Sequence, residues 1–332
     1  MKKAALMFFL IALMLVAPFS VGQAGSMISE SVVPLPPALQ NLPKIPLTPW
    51  LQVDKQEAFL EGPAFDRQGN LFVSSIFDSR IIKITPNKKV SVILKQDGLL
   101  PDGIAIHKDG RLFIACLSGK LAVVNPDGSN FSVIEANYQG FPKSMNDLVF
   151  DAQGNLYLTD FIGNVSGLAG GVYRYSADMK TVHQVVKNLA AANGIGLVPA
   201  GNVLWVSETC NNALHRIELL KDGITINPIA GAGIPYRFTG GPGGCDSMAI
   251  DEAGHVYQAL IFQGRLLIFS PSGVPIAQAL IPGRDEGKLL LTTNIAFKPG
   301  TDQAYVTASG KGGAWIYTFK GLAKGLTLYS HQ

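Results

Sequence analysis

Cysteine is scarce in this chain of 332 residues, which contains only three. Cys116, Cys210 and Cys245 are far apart and form no Cys-x-x-Cys pair, so the sequence does not indicate a thiolate metal site. In an oxidising compartment Cys210 and Cys245 could form a disulfide. The alternative is that all three are small, buried apolar residues, and the sequence leaves both open.

Signatures of several other function classes are also missing. No run of Lys or Arg argues for nucleic-acid binding, although the formal net charge is +3. No Gly-x-Ser-x-Gly elbow is present, so Ser-His-Asp hydrolysis has no support. None of the five histidines falls at a tunnel position of the repeats described below, so each is expected to be a surface or packed residue.

Long apolar runs are missing except at the N-terminus. The run from Leu6 to Val16 follows two lysines and is too short to span a bilayer. Small residues ending at Ala24 lie where a signal peptidase reads. We therefore predict a signal peptide over residues 1–24, with an uncleaved anchor as the alternative. The mature chain is then exported, periplasmic or secreted, with no stable membrane insertion.

Residues 25–49 are rich in proline and leucine. Proline fixes φ and lacks a backbone donor, so this segment cannot form a regular helix or an inner strand. We expect an extended arm that leads into one domain over residues 50–332.

Within that domain six segments repeat one pattern: a polar residue, alternating apolar residues, a turn with glycine and a second alternating strand. The repeats start at Glu61, Asp102, Asn146, Asn193, Asp246 and Thr293. A period of about forty to fifty residues with paired hairpins is typical of four-stranded propeller blades. The sequence therefore predicts an all-β fold, a six-bladed β-propeller. Residues near 49–59 or near 314–319 would complete the last blade.

The first residue of each repeat is expected to point into a central tunnel, because the inner strand of each blade begins at the ring axis. All six of these residues carry a side-chain oxygen, and three are carboxylates. Converging carboxylates repel each other and raise one another's pKa values. A hard cation would relieve this, and Ca²⁺ accepts six to eight oxygens in loose geometry. The alternative is a water-filled tunnel.

A second repeated position is less uniform. It carries Ser75, Cys116, Asp160, Glu208, Leu260 and Ala308. Asp160 and Glu208 need partners if they are buried. They either support the cation ligands or accept hydrogen bonds from turn backbone, and both interpretations stay open.

Seven stretches between Glu61 and Gly321 carry a resemblance to a known family. They are Ile106-His-Lys-Asp-Gly-Arg-Leu-Phe, Asn146-Asp-Leu-Val-Phe-Asp, Leu158-Thr-Asp-Phe, Ala192-Asn-Gly-Ile, Leu204-Trp-Val-Ser-Glu-Thr, Leu214-His-Arg-Ile and Ile281-Pro-Gly-Arg-Asp-Glu-Gly. The chain resembles the senescence-marker-protein/gluconolactonase family, related to regucalcin and diisopropylfluorophosphatase, and in particular its staphylococcal drug-responsive lactonase type. The resemblance implies a six-bladed propeller in which a catalytic calcium ion serves the hydrolysis of a small-molecule lactone.

The resemblance also implies the calcium ligands, position by position. They are Glu61, Asn146, Asn193 and Asp246, with Ser247 as a further contributor through its backbone or hydroxyl. These four are among the six residues that the repeat pattern alone places in the tunnel.

This sequence departs from the family pattern at two positions. Asn146 stands where the staphylococcal type is expected to have Asp, and Asp102 stands where a small residue is expected. The loop for a second, structural calcium is shortened around residues 119–130, so we do not predict that ion.

Three carboxylates are candidates for the group that activates water. Asp246 comes first, because it can ligate the ion and still present a free oxygen, or attack the substrate itself. Asp147 comes second, with the capping of a turn as its alternative role. Asp102 comes third, as a replacement for the base absent at Asn146.

The sequence leaves other functions open. The first is a non-catalytic propeller binding protein stabilised by calcium, since a fold alone fixes no function. The others are phosphotriester hydrolysis at the same metal and a condensation of the strictosidine-synthase type.

Overall fold

A computed structural model describes residues 31–134, 142–229, 231–239 and 244–332. The predicted signal peptide over residues 1–24 and the first part of the predicted arm lie outside these ranges. The described residues form mainly β-strands. Four single-turn 3-10 helices accompany them, at Pro37–Leu39, Thr209–Asn211, Arg284–Glu286 and Tyr329–His331. No helix among these residues has the length and apolar character needed to cross a membrane.

The strands follow one another along the chain with short connections. In order they are β1 (Lys44–Pro46), β2 (Thr48–Asp54), β3 (Leu60–Phe65), β4 (Leu71–Ser75), β5 (Arg80–Ile84), β6 (Val90–Lys95), β7 (Pro101–Ile106), β8 (Leu112–Cys116), β9 (Lys120–Val124), β10 (Ser132–Ile134), β11 (Met145–Phe150), β12 (Leu156–Asp160), β13 (Gly170–Tyr175), β14 (Val182–Leu189), β15 (Ala192–Leu197), β16 (Val203–Glu208), β17 (Ala213–Glu218), β18 (Ala232–Arg237), β19 (Cys245–Ile250), β20 (Val256–Leu260), β21 (Arg265–Phe269), β22 (Pro275–Leu280), β23 (Leu291–Phe297), β24 (Gln303–Gly310) and β25 (Gly313–Lys320).

These strands form six small sheets around one axis. Strands β3–β6, β7–β10, β11–β14 and β15–β18 form the first four blades, β19–β22 with β1 form the fifth, and β23–β25 with β2 form the sixth. The first strand of each blade contacts the first strand of the next, and β23 contacts β3, so the ring closes after six blades. The predicted all-β, six-bladed propeller is confirmed. We call the tunnel end where the first strands begin the upper end.

The turn between the first and second strands uses one chemical device in alternate blades. In the first blade the Asp66 carboxylate accepts hydrogen bonds from two backbone N–H groups of the turn, at 3.0 and 2.8 Å. Gly69, in the same turn, has a φ of 79°. The same pattern recurs at Asp151 and Asp251. A carboxylate that satisfies the donors of a turn, next to a glycine at positive φ, fixes the hairpin locally.

Side-chain hydroxyl groups fasten neighbouring blades beside the tunnel. At four blade contacts a hydroxyl donates a hydrogen bond to a backbone carbonyl on the first strand of the next blade. The donor and acceptor residues are Ser74 and Asp102 (2.7 Å), Thr159 and Asn193 (2.5 Å), Ser207 and Asp246 (2.6 Å), and Thr293 and Leu60 (2.7 Å). Each such bond contributes about 1 kcal/mol and fixes the position of one blade relative to the next.

The N-terminal segment closes the ring. Strand β2 pairs antiparallel with β25, so both of the segments considered from the sequence take part in the sixth blade. Strand β1 pairs parallel with β22 as a fifth strand of the fifth blade. Part of the predicted arm therefore follows the outer edge of the propeller.

The stretch 281–287, which carries part of the family resemblance, anchors this arm. Its Arg284 is only 3% exposed and donates hydrogen bonds to the backbone carbonyls of Gln263, at 3.0 Å, and Val33. The carbonyl of Asp285 accepts a 3.0 Å hydrogen bond from the backbone N–H of Val32. The stretch therefore serves the fold here.

The C-terminal residues 325–332 cross the lower end of the tunnel. The Tyr329 ring lies 5.0 Å from that of His107 and 5.4 Å from that of Phe150, centroid to centroid. Together with the lower halves of the first strands, the tail encloses a cavity of about 130 Å³, which we call the lower chamber. His331, a partly buried residue of the tail, lines it. The repeat pattern could not show this, because the tail lies outside the repeats.

The three cysteines are unpaired. Cys116 and Cys245 are buried, Cys210 is exposed, and all three thiols are free. The disulfide considered between Cys210 and Cys245 is therefore not formed. Cys245 Sγ instead lies 3.4 Å from the Glu208 carbonyl oxygen.

Replacing Arg284 with Ala should lower the free energy of unfolding by about 2 kcal/mol, because two buried carbonyls lose their donor. Denaturant unfolding measures the change. Lys288→Ala, an exposed residue of the same connection, is the control and should change stability by less than about 0.5 kcal/mol. Wild-type stability in Arg284→Ala would contradict the anchoring role.

Candidate metal centre in the tunnel

Five polar side chains meet at the upper end of the tunnel, each at the second residue of its blade's first strand. They are Glu61, Asp102, Asn146, Asn193 and Asp246, all at most 4% exposed, and we call them the ring. In every blade the pairing of the first two strands shifts register just after this position. Such a bulge re-aims side chains, which here directs them into the tunnel.

Glycine beside the ring allows neighbouring blades to approach closely. Gly62 has a φ of 55°, and a Cβ added there would lie 2.3 Å from the carbonyl oxygen of Asp102. No other residue fits this combination of backbone angle and space. Glu61 and Asp102 are thereby held in adjacent blades at one level of the tunnel.

Hydrogen bonds connect the ring residues across blade boundaries. Asn146 Nδ2 donates to Asp102 Oδ2 at 2.9 Å. The side chains of Asn193 and Glu61 lie close to the carboxyl group of Asp246. The four leading ligand candidates therefore share one buried cluster with Asp102.

A second layer of side chains comes from the next residue of the strands. Ser247 Oγ donates to Asn193 Oδ1 at 3.3 Å, so the fifth ligand candidate also adjoins the ring. Asp147 accepts a 2.9 Å hydrogen bond from the Leu148 backbone N–H and lines the lower chamber. Burial raises the pKa of Asp147 to about 7. Its carboxylate is thus already engaged below the ring.

Asn294 is a ring partner that the sequence interpretation missed. The repeat pattern placed Thr293 in the tunnel, but its Oγ1 donates to the Leu60 carbonyl in the tunnel wall, at 2.7 Å. Asn294 Nδ2 instead donates to Glu61 Oε2, at 2.9 Å. The bulge presents two consecutive residues of each first strand to the tunnel, so the residue after each repeat start was also a candidate.

Burial and mutual repulsion raise the pKa values of the ring carboxylates. Desolvation, followed by the charges of Asp246 and Asp102, raises the pKa of Glu61 well above its usual value. Desolvation and the charge of Asp246 do the same to the pKa of Asp102. Desolvation raises the pKa of Asp246 to about 7. A cation among them would favour their charged forms.

Two ring oxygens have no hydrogen-bond partner. Asp102 Oδ1 and Asn146 Oδ1 are both buried and unsatisfied, which costs about 1–3 kcal/mol per atom unless a ligand is bound. Within the described ranges, no three His, Cys, Asp or Glu side chains group to hold a metal by themselves. Amide oxygens are therefore an essential part of any donor set here. An all-oxygen set fits a hard cation such as calcium rather than zinc.

The acidic residues of the second repeated position hold turns. Asp160 Oδ1 accepts hydrogen bonds from two consecutive backbone N–H groups, the second being that of Ser144, at 2.9 and 2.8 Å. Glu208 Oε1 accepts one from the Ala190 N–H at 2.7 Å, and its Oε2 lies 2.7 Å from His215 Nε2. Of the two open interpretations, the structure shows the hydrogen bonds to turn backbone.

Solved structures share this propeller. The calcium-binding protein regucalcin from Agrobacterium tumefaciens is 20% identical and superposes with a TM-score of 0.70 over 86% of this chain and 98% of its own. A luciferin-regenerating enzyme is 22% identical, with a TM-score of 0.69 over 84% of this chain and 99% of its own. At these identities the likeness shows the fold alone.

Sequence relatives are much more similar. Lactonase drp35 of Staphylococcus saprophyticus is 45% identical over 309 residues, which cover 90% of this chain and 94% of the relative. Lactonase drp35 of Staphylococcus aureus is 42% identical over 314 residues, with coverage of 92% and 95%. The family described as SMP-30/Gluconolactonase/LRE-like region matches residues 59–310, which include the first strands of all six blades. The family predicted from the sequence is confirmed, and the chain belongs to the SMP-30/gluconolactonase/LRE-like family.

Proposed function

We propose that this protein is a calcium-dependent hydrolase that opens small-molecule lactones at the ring. The relatives named lactonase, 41% to 45% identical over nearly the whole chain, support a hydrolase of carboxylic esters. The observation that carries the cation is the buried, unpartnered Oδ1 of Asn146 within a ring of carboxylates and amides.

Four ring residues, with Ser247 beside them, would hold the ion. Glu61 and Asp246 supply two negative charges, which balance a divalent cation. Asn146 and Asn193 add neutral oxygens, which leave the cation electrophilic. When bound, calcium supplies a Lewis acid that polarises the lactone carbonyl.

Asp246 is the proposed base, because a carboxylate that ligates the ion through one oxygen can present the other oxygen to a water molecule. Asp147 is bonded to backbone and lines the lower chamber, and Asp102 Oδ2 holds the Asn146 amide. Asp246 would take a proton from water as the water oxygen bonds to the carbonyl carbon. The ester C–O bond of the lactone then breaks, and the leaving alkoxide takes the proton that Asp246 removed from water. The product is a hydroxy acid.

We also propose that the mature chain is exported, in the periplasm or outside the cell, without stable membrane insertion. The two N-terminal lysines, the short apolar run and the small residues ending at Ala24 support this. The first strand begins at Lys44, well after the proposed cleavage point.

Asp246→Asn should lower kcat for lactone hydrolysis by at least about a hundredfold, because the general base and one ligand charge are lost. The assay uses the purified protein with sugar, aliphatic and aromatic lactones and a fluorophosphate, with and without a calcium chelator. Asp97→Asn, which removes an exposed carboxylate elsewhere, is the matched control and should keep wild-type turnover.

The outcomes of this assay separate the functions. Turnover of lactones that needs calcium and is lost in Asp246→Asn supports the proposal. Turnover of the fluorophosphate alone would replace it with phosphotriester hydrolysis. Calcium binding without turnover of any substrate would replace it with a binding protein pinned by the ion.

Calcium should raise the melting temperature of the wild type, since an ion that binds only the folded state at a hundred times its Kd adds about 2.7 kcal/mol. Asp246→Asn should lose this gain. In chelator, the same variant should be at least as stable as the wild type, because one of the repelling buried carboxylates is neutral. Differential scanning calorimetry checks both signs. A variant that is less stable in chelator yet still stabilised by calcium would contradict the site.

A further inference from the structure

Two hydrogen bonds at the ring each join a carboxylate to an amide of a neighbouring blade. Asp102 of the second blade pairs with Asn146 of the third, at 2.9 Å. Asn294 of the sixth blade pairs with Glu61 of the first, at 2.9 Å. These two pairs link the second blade to the third and the sixth blade to the first.

Only one of the three carboxylates of the ring is without a proposed ligand role. Glu61 and Asp246 are ligand candidates, whereas Asp102 has been considered only as a third-choice base. Its partner Asn146 is a ligand candidate, and both residues are buried, at 1% and 4% exposure.

The chemistry of this pair fixes the direction of the amide. An ionised carboxylate only accepts hydrogen bonds, whereas an amide donates at its nitrogen and accepts at its oxygen. Asn146 must therefore present Nδ2 to Asp102, which leaves Oδ1 turned elsewhere. That oxygen is buried and has no partner, as a cation ligand without its cation would be.

We propose that Asp102 is a positioning residue whose carboxylate holds the Asn146 amide so that its oxygen faces the cation. The inference rests on the proposed function, because it assumes a cation in the ring. A carboxylate at 102 gives the amide one orientation. An amide at 102 accepts or donates equally, so the Asn146 side chain would no longer be fixed.

The first measurement is calorimetric titration of the purified, metal-free protein with Ca²⁺ alone. Asp102→Asn should weaken Ca²⁺ binding about tenfold, the lower end of what loss of a partner that orients a metal ligand costs. Asp97→Asn removes an exposed carboxylate preceding the same blade and should leave the Kd unchanged.

A second background separates orientation from charge. In Asn146→Asp the ligand has two equivalent oxygens and no direction to fix, so adding Asp102→Asn should not weaken Ca²⁺ binding further. Equal weakening by Asp102→Asn in both backgrounds would mean that Asp102 acts through its charge alone and would overturn the proposal. An unchanged Kd in the Asp102→Asn single variant would overturn it as well.

Failure of this inference differs from failure of the proposed function. A wild type that does not bind Ca²⁺ contradicts both. A wild type that binds Ca²⁺ and hydrolyses lactones, beside an Asp102→Asn variant with the same Kd, contradicts the positioning role only. If Asp102→Asn folds poorly by itself, the double variant Asp102→Asn/Asn146→Asp is compared with Asn146→Asp. The double variant keeps one carboxylate and one amide at these two positions, in reversed order.

Discussion

The structure depends on bringing like charges together at the tunnel axis. Three buried carboxylates lie at one level, and desolvation and repulsion act against their ionised forms. Two of these carboxylates each accept a hydrogen bond from an amide of a neighbouring blade, Asp102 from Asn146 and Glu61 from Asn294. The bulges, the hydroxyl groups between blades and the glycine at position 62 all act around these pairs.

Much of this arrangement could be read from the sequence. The repeat period gave the blade count, and turns such as that at Asp66 marked the ends of the first strands. The oxygen-bearing residues at the repeat starts gave the ring positions. These features depend on residues close together in sequence, where period and turn chemistry are informative.

The rest depended on contacts that local pattern does not encode. Thr293 occupies the expected position, but the bulge presents the next residue, Asn294, to Glu61, which is 233 residues away. His331 reaches the lower chamber only because the tail folds back across the blades. The stretch around Arg284 resembles the family, yet it binds the arm rather than the tunnel. The resemblance to the family identified this stretch, but it did not show that the stretch holds the arm and lies outside the tunnel site.

The closure of the ring by β2 also has a consequence for the order of assembly. Thr48 of β2 pairs with Thr318 of β25. Strand β2 is synthesised early, but its partner β25 is the last strand of the chain to be synthesised. Each doubling of the length of a closed loop adds only about 0.6 kcal/mol to the entropic cost of closure. The long separation of β2 and β25 therefore affects the rate of assembly more than the stability of the closed ring. The ligand candidates are spread over the first, third, fourth and fifth blades. A fragment that ends before the fifth blade lacks Asp246 and Ser247. An ion that needs the whole set would therefore bind only after the first five blades have assembled around the axis.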